Sequence, residues 1–430
     1  MFDTKESKRV ERALLVGAYT QPEDKAEAQS LLEELEELVD TLGIPVIERR
    51  LVHHRETHAR YLLGSGKAEE LVALAKEHKL DVIIFDNELS PSQQRNWEQL
   101  GPGIAVIDRQ EVILDIFGQR AQTREARLQV ELAQMEYSLP RLTRAWGHLA
   151  RQGGGIGGRG EGESQLEQDK RRVRVAIDRC KRELEDVRSS RATQRKDRKR
   201  TPVPNAAIVG YTNAGKSSLL RKLTGADVLV EDKLFATLDT TTRKISLPNK
   251  QPLLLTDTVG FVRKLPHRLV ESFNATLEEA VMADFLIHLL DASQPKVLEF
   301  HATTLKVLHE LGADQKRTLI VFNKIDKVED PTILTSLRRQ FPEAEFISVH
   351  TGAGLDAFIE RISEFVSGGS EIHELRIPLD CGELLARLHR QAKIMESEYL
   401  DDCVRMVALI PPRLLPECAP HLLLPSHSSP

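Results

Sequence analysis

The chain has 430 residues, of which 40% are hydrophobic and 29% charged, with a formal net charge of −5. These are ordinary globular values for a chain long enough to hold about two to four domains. They exclude a collagen-like or low-complexity chain, but not a nucleic-acid partner, because a small net charge can hide local asymmetry.

No apolar run approaches the ~18 residues needed to span a bilayer. The first residues, MFDTKESKRVERALLVGAY, have no long apolar core followed by a small-residue cleavage site, so a secretory signal is not expected. Cys180, Cys381, Cys403 and Cys418 are scattered without a C-x-x-C pair. That argues against a zinc site or a disulfide framework and fits reduced thiols in a cytoplasmic protein.

Residues 1–110 alternate apolar strands with helical stretches. LLVGAY reads as a strand, EDKAEAQSLLEELEELVDTLG as a long amphipathic helix stopped by Gly43, and IPVIERRLV as extended chain. GKAEELVALAKEHK is helical, DVIIFD a short buried strand, SPSQQRNWEQL a helix capped by Ser90 with Pro91 at its first position, and IAVID a strand. Such alternation implies a mainly parallel sheet.

Residues 111–190 read as helical stretches on either side of a glycine-rich loop. From Arg109 to about Leu142 the chain is helical and highly charged, with Pro140 kinking or ending the run. The loop, 151-RQGGGIGGRGEGESQLEQDK-170, follows. Val173, Ile177, Cys180, Leu184 and Val187 then recur at heptad-like spacing, an apolar seam on a long helix. Between Lys170 and Arg200 there are 14 basic residues against 5 acidic ones. Residues 191–205, within a stretch that lacks periodicity and carries two prolines, read as a linker.

A second α/β domain is expected over 206–369, and 370–430 as a small α+β appendix. In the appendix, 372–412 reads as strand, helix, strand, and the last twenty residues, with six prolines, as irregular.

The chemistry concentrates in the second domain. In 206-AAIVGYTNAGKSSLL-220 an apolar strand runs into Gly210, four residues follow, and Gly215-Lys216-Ser217 opens a helix. This is a phosphate-binding P-loop. Backbone amides of Gly210, Tyr211, Thr212, Asn213, Ala214 and Gly215 can wrap a triphosphate, Lys216 can reach its β- and γ-phosphates, and Ser217, followed by Ser218, can supply a hydroxyl to Mg²⁺. The stretch 64-GSGK-67 lacks the spacer and the following hydroxyl, and reads as a turn into a helix.

The order of the remaining motifs points to guanine. After the P-loop come 235-FATLDTTTR-243, then Asp257-Thr258-Val259-Gly260, then Asn323-Lys324-Ile325-Asp326, then Ser348-Val349-His350. Asp257 suits an outer-shell contact to Mg²⁺, and the Gly260 amide a bond to the γ-phosphate. Asp326 can accept from both N1–H and the 2-amino group of guanine. Adenine lacks those donors, which disfavours ATP. Phe261 stands where many GTPases keep a glutamine to orient the attacking water. No residue is therefore assigned as general base: the water is placed either by a partner or by another group such as Thr258 or a backbone carbonyl.

These motifs resemble the translation-factor-related class of P-loop GTPases. YLLGSGKAEEL, VIDRQEVILDIFGQRAQTREARLQVELAQMEY, GGGIGGRGEGESQLEQDKRR and DTVGFVRKLPHRLVESFNATLEEA closely resemble HflX-type ribosome-associated GTPases, over roughly residues 10–370. The resemblance implies an N-terminal α/β domain with a long helical hairpin, a P-loop GTPase domain with a mostly parallel sheet, and binding of GTP and GDP with Mg²⁺.

Within 235-FATLDTTTR-243 it implies that Phe235, Ala236, Thr237, Leu238 and Asp239 form a nucleotide-sensing segment, with Thr237 as the Mg²⁺ ligand beside Ser217. By chemistry alone Thr240, Thr241 and Thr242 are rivals. It further implies engagement of the large ribosomal subunit and ribosomal RNA, splitting or rescuing stalled ribosomes; the charged surface makes a monomer the default, and no obligate membrane partner is expected. An assembly or regulatory switch, or an RNA-remodelling factor, is the alternative. The glycine-rich loop, with Arg151, Gly153, Gly154, Gly155, Gly157, Gly158 and Arg159, would face RNA; from its composition alone a hinge before a solvated charged coil is the favoured reading. Two departures stand out: Ser348-Val349-His350 replaces the usual Ser-Ala start of the guanine-side loop, and Ser164 stands where threonine is common.

Overall fold

The computed structural model describes residues 11–142, 165–199, 203–225, 234–235, 240–249, 251–264, 279–367, 371–410 and 414–423. The chain divides into two compact units. One comprises Met1–Ala192, Glu231–Asp239 and Gly260–Thr276; the other Thr193–Val230, Thr240–Val259 and Leu277–Pro430.

In the first unit β1 (Ala13–Tyr19), α1 (Lys25–Thr41), β2 (Val46–His53), α2 (Ser65–Glu77), β3 (Val82–Phe85), α3 (Pro91–Leu100) and β4 (Ala105–Asp108) follow the alternation read from the sequence. The sheet order is β2-β1-β3-β4 and every pairing is parallel. β3 is buried at all its residues, as expected of a strand covered on both faces. Gly43 takes a left-handed φ of +73° just past α1, the conformation that ends helices. Ser90 forms a full capping box with Gln93, and Pro91 opens α3.

The charged run after β4 is two helices rather than one, α4 (Arg109–Arg120) and α5 (Arg124–Ser138). The break has a local cause: Ala121 is extended and the Thr123 hydroxyl accepts from Ala126 N at 3.1 Å, capping a new helix. Pro140 lies in a 3₁₀ turn, Leu139–Arg141, that ends the run. Asp108 caps α4 and accepts from the Tyr137 hydroxyl at 3.0 Å, and the Arg141 guanidinium lies 3.6 Å over the Tyr137 ring.

α6 (Gln165–Lys199) carries the seam seen in the sequence. Ile177, Cys180 and Leu184 are buried against Leu128 and Leu132 of α5, with Val173 packed alongside. The seam thus closes on this chain's own α5. Residues 191–199 are helical rather than irregular; rich in Arg, Lys, Gln and Ala, with no Gly or Pro, they favour helix.

The second unit is built on a six-stranded sheet of order β10-β9-β8-β5-β7-β6. Its strands are β5 (Asn205–Val209), β6 (Thr241–Ser246), β7 (Pro252–Asp257), β8 (Phe285–Asp291), β9 (Thr318–Asn323) and β10 (Glu345–Phe346). Only β6 runs antiparallel, along β7. Among the described residues, the helices that accompany this sheet are α7 (Lys216–Thr224), α8 (Val297–Glu310), α9 (Pro331–Gln340) and α10 (Leu355–Ser367).

The same unit ends in an antiparallel sheet of order β11-β13-β12, from β11 (Glu371–Pro378), β12 (Lys393–Tyr399) and β13 (Cys403–Ile410), with α11 (Gly382–Gln391) between β11 and β12. The expected strand-helix-strand gains a strand, because the polar Leu400-Asp401-Asp402 stretch is a turn that folds β13 back on β12. The proline-rich end is not irregular throughout. Leu414, Cys418 and Leu422 pack on this sheet's core, and Leu423 N donates to Glu374 O at 2.8 Å. Among the described residues no helix is long and apolar enough to cross a membrane.

Candidate functional site

β5, β7 and β9 all present their carboxyl ends to one edge of the second unit's sheet, and the loop after β10 ends beside them, where open α/β sheets hold ligands. The P-loop leaves central strand β5. Gly210 has φ +148°, and a Cβ there would stand 2.2 Å from Leu289 O; Gly215 has φ +96°, and its Cβ would stand 2.4 Å from Asn323 Nδ2. Both positions therefore demand glycine on conformation and on space. Asn213 is also left-handed, at φ +60°.

Lys216 opens α7, is buried, and donates to the carbonyls of Gly210 at 3.1 Å and Tyr211 at 2.8 Å. Burial pulls its ammonium down to about 8; the Asp257 carboxylate opposes the shift and the Lys324 ammonium adds to it. The arrangement keeps a cation in a nearly dry loop, where an arriving anion gains most. Ser217 on the next position donates to Asp257 Oδ2 at 2.6 Å, and Asp257 is wholly buried at the end of β7, in register with Ile208. A hydroxyl oxygen beside a buried carboxylate is a hard-oxygen donor set that suits Mg²⁺. Thr212, Ala214 and Ser218 complete the loop and first turn; Ala214 O accepts from Asn323 Nδ2 at 2.9 Å.

Thr258 is not available to orient a water. Its hydroxyl donates to Ile208 O at 2.7 Å and the residue is completely buried. Val259 is buried as well. That geometry disfavours Thr258 as the group that places the nucleophile.

On the guanine side Asn323 closes β9 and bridges two loops, donating to Ala214 O and accepting from Val349 N at 3.1 Å. Lys324 adopts φ +62° and pairs with Asp291 at 2.8 Å. Ile325 and Asp326 lie in a 3₁₀ turn, and Asp326 is exposed. Ser348 is buried, its hydroxyl accepting from Thr351 N at 3.0 Å; Val349 packs on the sheet core and His350 is exposed. The branched Val349 side chain thus serves the core, and its amide is already engaged by Asn323. Asp291 was missed in the sequence: it is a lone acid at a strand end until register sets it opposite Asn323.

Phe235 and Gly260 belong to the first unit. Phe235 is buried with its ring edge-on to Phe117 at 4.6 Å, and Phe261 is buried too, at 1% exposure. Ala236, Thr237, Leu238 and Asp239 lie outside the described residues, as do Arg151, Gly153, Gly154, Gly155, Gly157, Gly158, Arg159 and Ser164.

Three family models match consecutive stretches of the chain: GTP-binding GTPase N-terminal over residues 29–118, GTP-binding GTPase middle region over 120–198, and 50S ribosome-binding GTPase over 205–324. The GTPase HflX of Akkermansia muciniphila is 50% identical over 424 residues, covering 96% of this chain and 97% of its own. That of Escherichia coli K12 is 42% identical over 395 residues, 91% of each. Among solved structures, a GTP-binding protein from Sulfolobus solfataricus in complex with GDP aligns at 22% identity and a TM-score of 0.42, over 82% of this chain and 98% of its own. With near-full-length relatives at this identity, the chain belongs to the HflX family of GTPases and is a GTP hydrolase.

Proposed function

We propose that this GTPase acts on the ribosome, binding the large subunit with GTP and hydrolysing it under ribosomal stimulation to separate or rescue stalled ribosomes. The observation that carries the reading is the match of residues 205–324 to the 50S ribosome-binding GTPase family, on a chain whose usual water-orienting position is the buried Phe261.

In this reading the amides of Gly210–Gly215 and the N-terminus of α7 hold the phosphates, and Lys216 exchanges its two loop carbonyls for phosphate oxygens. Ser217, with Thr237, would hold Mg²⁺, and Asp257 would contact it from the outer shell. The chemistry such an ion supplies is neutralisation of charge on the β- and γ-phosphate oxygens. Gly260 donates to the γ-phosphate. Asn323 fixes the base-side loop, Asp326 accepts from guanine N1–H and N2, and the Ser348-Val349-His350 loop meets O6. Phe261 offers no polar side-chain atom and the Thr258 hydroxyl donates to Ile208 O, which favours ordering of the attacking water by a partner. The glycine-rich loop with Arg151 and Arg159, and the basic end of α6, would meet ribosomal RNA through its phosphates. The protein would work in the cytoplasm as a monomer.

Sucrose-gradient sedimentation of intact ribosomes with the protein and GTP tests this. Conversion of ribosomes to subunits, with the protein on the large one, is expected. Binding without separation would favour the assembly or regulatory switch, and no association with either particle would overturn the ribosomal reading.

A further inference from the structure

The phosphate-binding pattern leaves position 211 open to any residue, yet here it holds a large ring placed by a helix outside the motif. Tyr211 follows Gly210 and is buried. Its ring lies flat on the Phe300 ring of α8, with centroids 4.1 Å and planes 11° apart. Its carbonyl closes the first turn of the loop, accepting from Ala214 N at 3.3 Å, and also accepts from Lys216 Nζ at 2.8 Å. Tyr211 thus joins α8, through its side chain, to the loop's turn and its cation, through its backbone.

A second ring contact fixes α8 beside the first. His301, the next residue of the helix, stacks on His288 of β8 at 5.0 Å with planes 23° apart, and meets the Phe341 ring edge-on at 5.4 Å. His288 is completely buried and stands in register with Val209, the residue before Gly210. Burial pulls its imidazole down to about 3, with His301 and Lys216 adding to the shift, so it enters the stack as a neutral ring. Two successive rings of one helix therefore bear on the end of β5 and the start of the loop. Just beyond them Asn213 is held at φ +60°, a sparsely populated conformation that persists where the surroundings over-determine it. All these residues belong to the second unit; the buried ion cluster of Arg109 with Glu34 and Asp86 belongs to the first and is no part of this arrangement.

We propose that Phe300 and the Tyr211 ring are positioning residues for nucleotide binding, holding the P-loop in its phosphate-receiving shape before the nucleotide arrives; the proposal rests on the reading of that loop as the phosphate site. A loop already ordered loses less conformational freedom on binding, and its affinity is higher for that reason. The loop amides face the phosphates of GTP and of GDP, in the ground state and in the transition state alike, so the contribution falls on binding rather than on the chemical step. A stacked aromatic pair changes an equilibrium constant by about two- to tenfold beyond the area it buries, which sets the size of the expected effect.

The test is calorimetric titration of the full-length protein, without ribosomes, with GDP and with a non-hydrolysable GTP analogue, alongside steady-state GTP hydrolysis. Phe300 is half-buried, so Phe300→Leu keeps an apolar side chain at the site and removes only the ring. It is expected to weaken both nucleotides about fivefold, with kcat within about twofold. Phe300→Tyr, which keeps the stack, is expected to bind both as the parent protein does. Lys216→Ala checks the underlying reading separately: it should remove most affinity, and retained affinity there would overturn the P-loop as the phosphate site. Unchanged dissociation constants in Phe300→Leu, or in Tyr211→Leu should the first variant fail to fold, would overturn the proposal. So would an equal loss in Phe300→Tyr, a loss confined to kcat, or a loss confined to thermal stability.

Discussion

The P-loop and the Arg109 cluster both keep charge buried, but the chain builds them in opposite ways. Lys216 finds its carbonyls five and six positions back, so glycine placement and one helix start generate the whole arrangement. The cluster draws Glu34, Asp86, Arg109, Arg263 and Lys264 from helices, strand ends and a loop spread over more than half the chain. The loop is a local solution that can accept an external anion. The cluster is a non-local one, already satisfied by its own partners. A buried cation hydrogen-bonded to carbonyls is poised to bind, whereas one paired between carboxylates is poised to hold.

The widest test of that contrast is Arg109→Met. It strips the central cation from two buried carboxylates, and breaking a buried pair costs about 3–5 kcal/mol. Urea unfolding followed by a probe in the first unit should show a loss of unfolding free energy of that size, while GTP affinity of the folded variant changes little. Equal loss of nucleotide affinity would mean that the two regions are not built independently.

A smaller effect sharpens the other side. Lys216 titrates near 8 in the protein alone, and phosphates bound beside it raise that value. Below pH 8 the ammonium is charged with or without nucleotide, so affinity is flat on its account. Above pH 8 binding must take up a proton, and affinity falls by up to about tenfold per unit, ~1.4 kcal/mol. Calorimetric titration with a GTP analogue at pH 7 and pH 9 should therefore give about tenfold weaker binding at the higher pH. Equal affinities would mean that Lys216 does not change its environment on binding.

The same contrast explains what could be read from the sequence. The P-loop, Asp257, the Asn323–Asp326 stretch and the strand-helix alternation are patterns with short period, and each lies where periodicity and turn chemistry put it. The α6 seam was legible too, though not its partner, because heptad spacing does not say which helix fills it. The break at Ala121 was hidden, since Thr123 caps a helix only if the preceding residue leaves helical conformation. The extra strand β13 was missed because its turn, Leu400-Asp401-Asp402, has no glycine or proline to mark it. Nor could the cluster be seen: a lone Glu34 on an acidic helix and an Arg263-Lys264 pair both look like solvated charge until the fold brings them together.

The claim on which the account turns is that a partner completes what Phe261 cannot supply, and steady-state GTP hydrolysis with and without purified large ribosomal subunits tests it most directly. Slow turnover alone and stimulation by at least ~10³-fold on adding subunits are expected, within the range that supplied positioning groups provide. Fast turnover by the protein alone, unchanged by subunits, would contradict it.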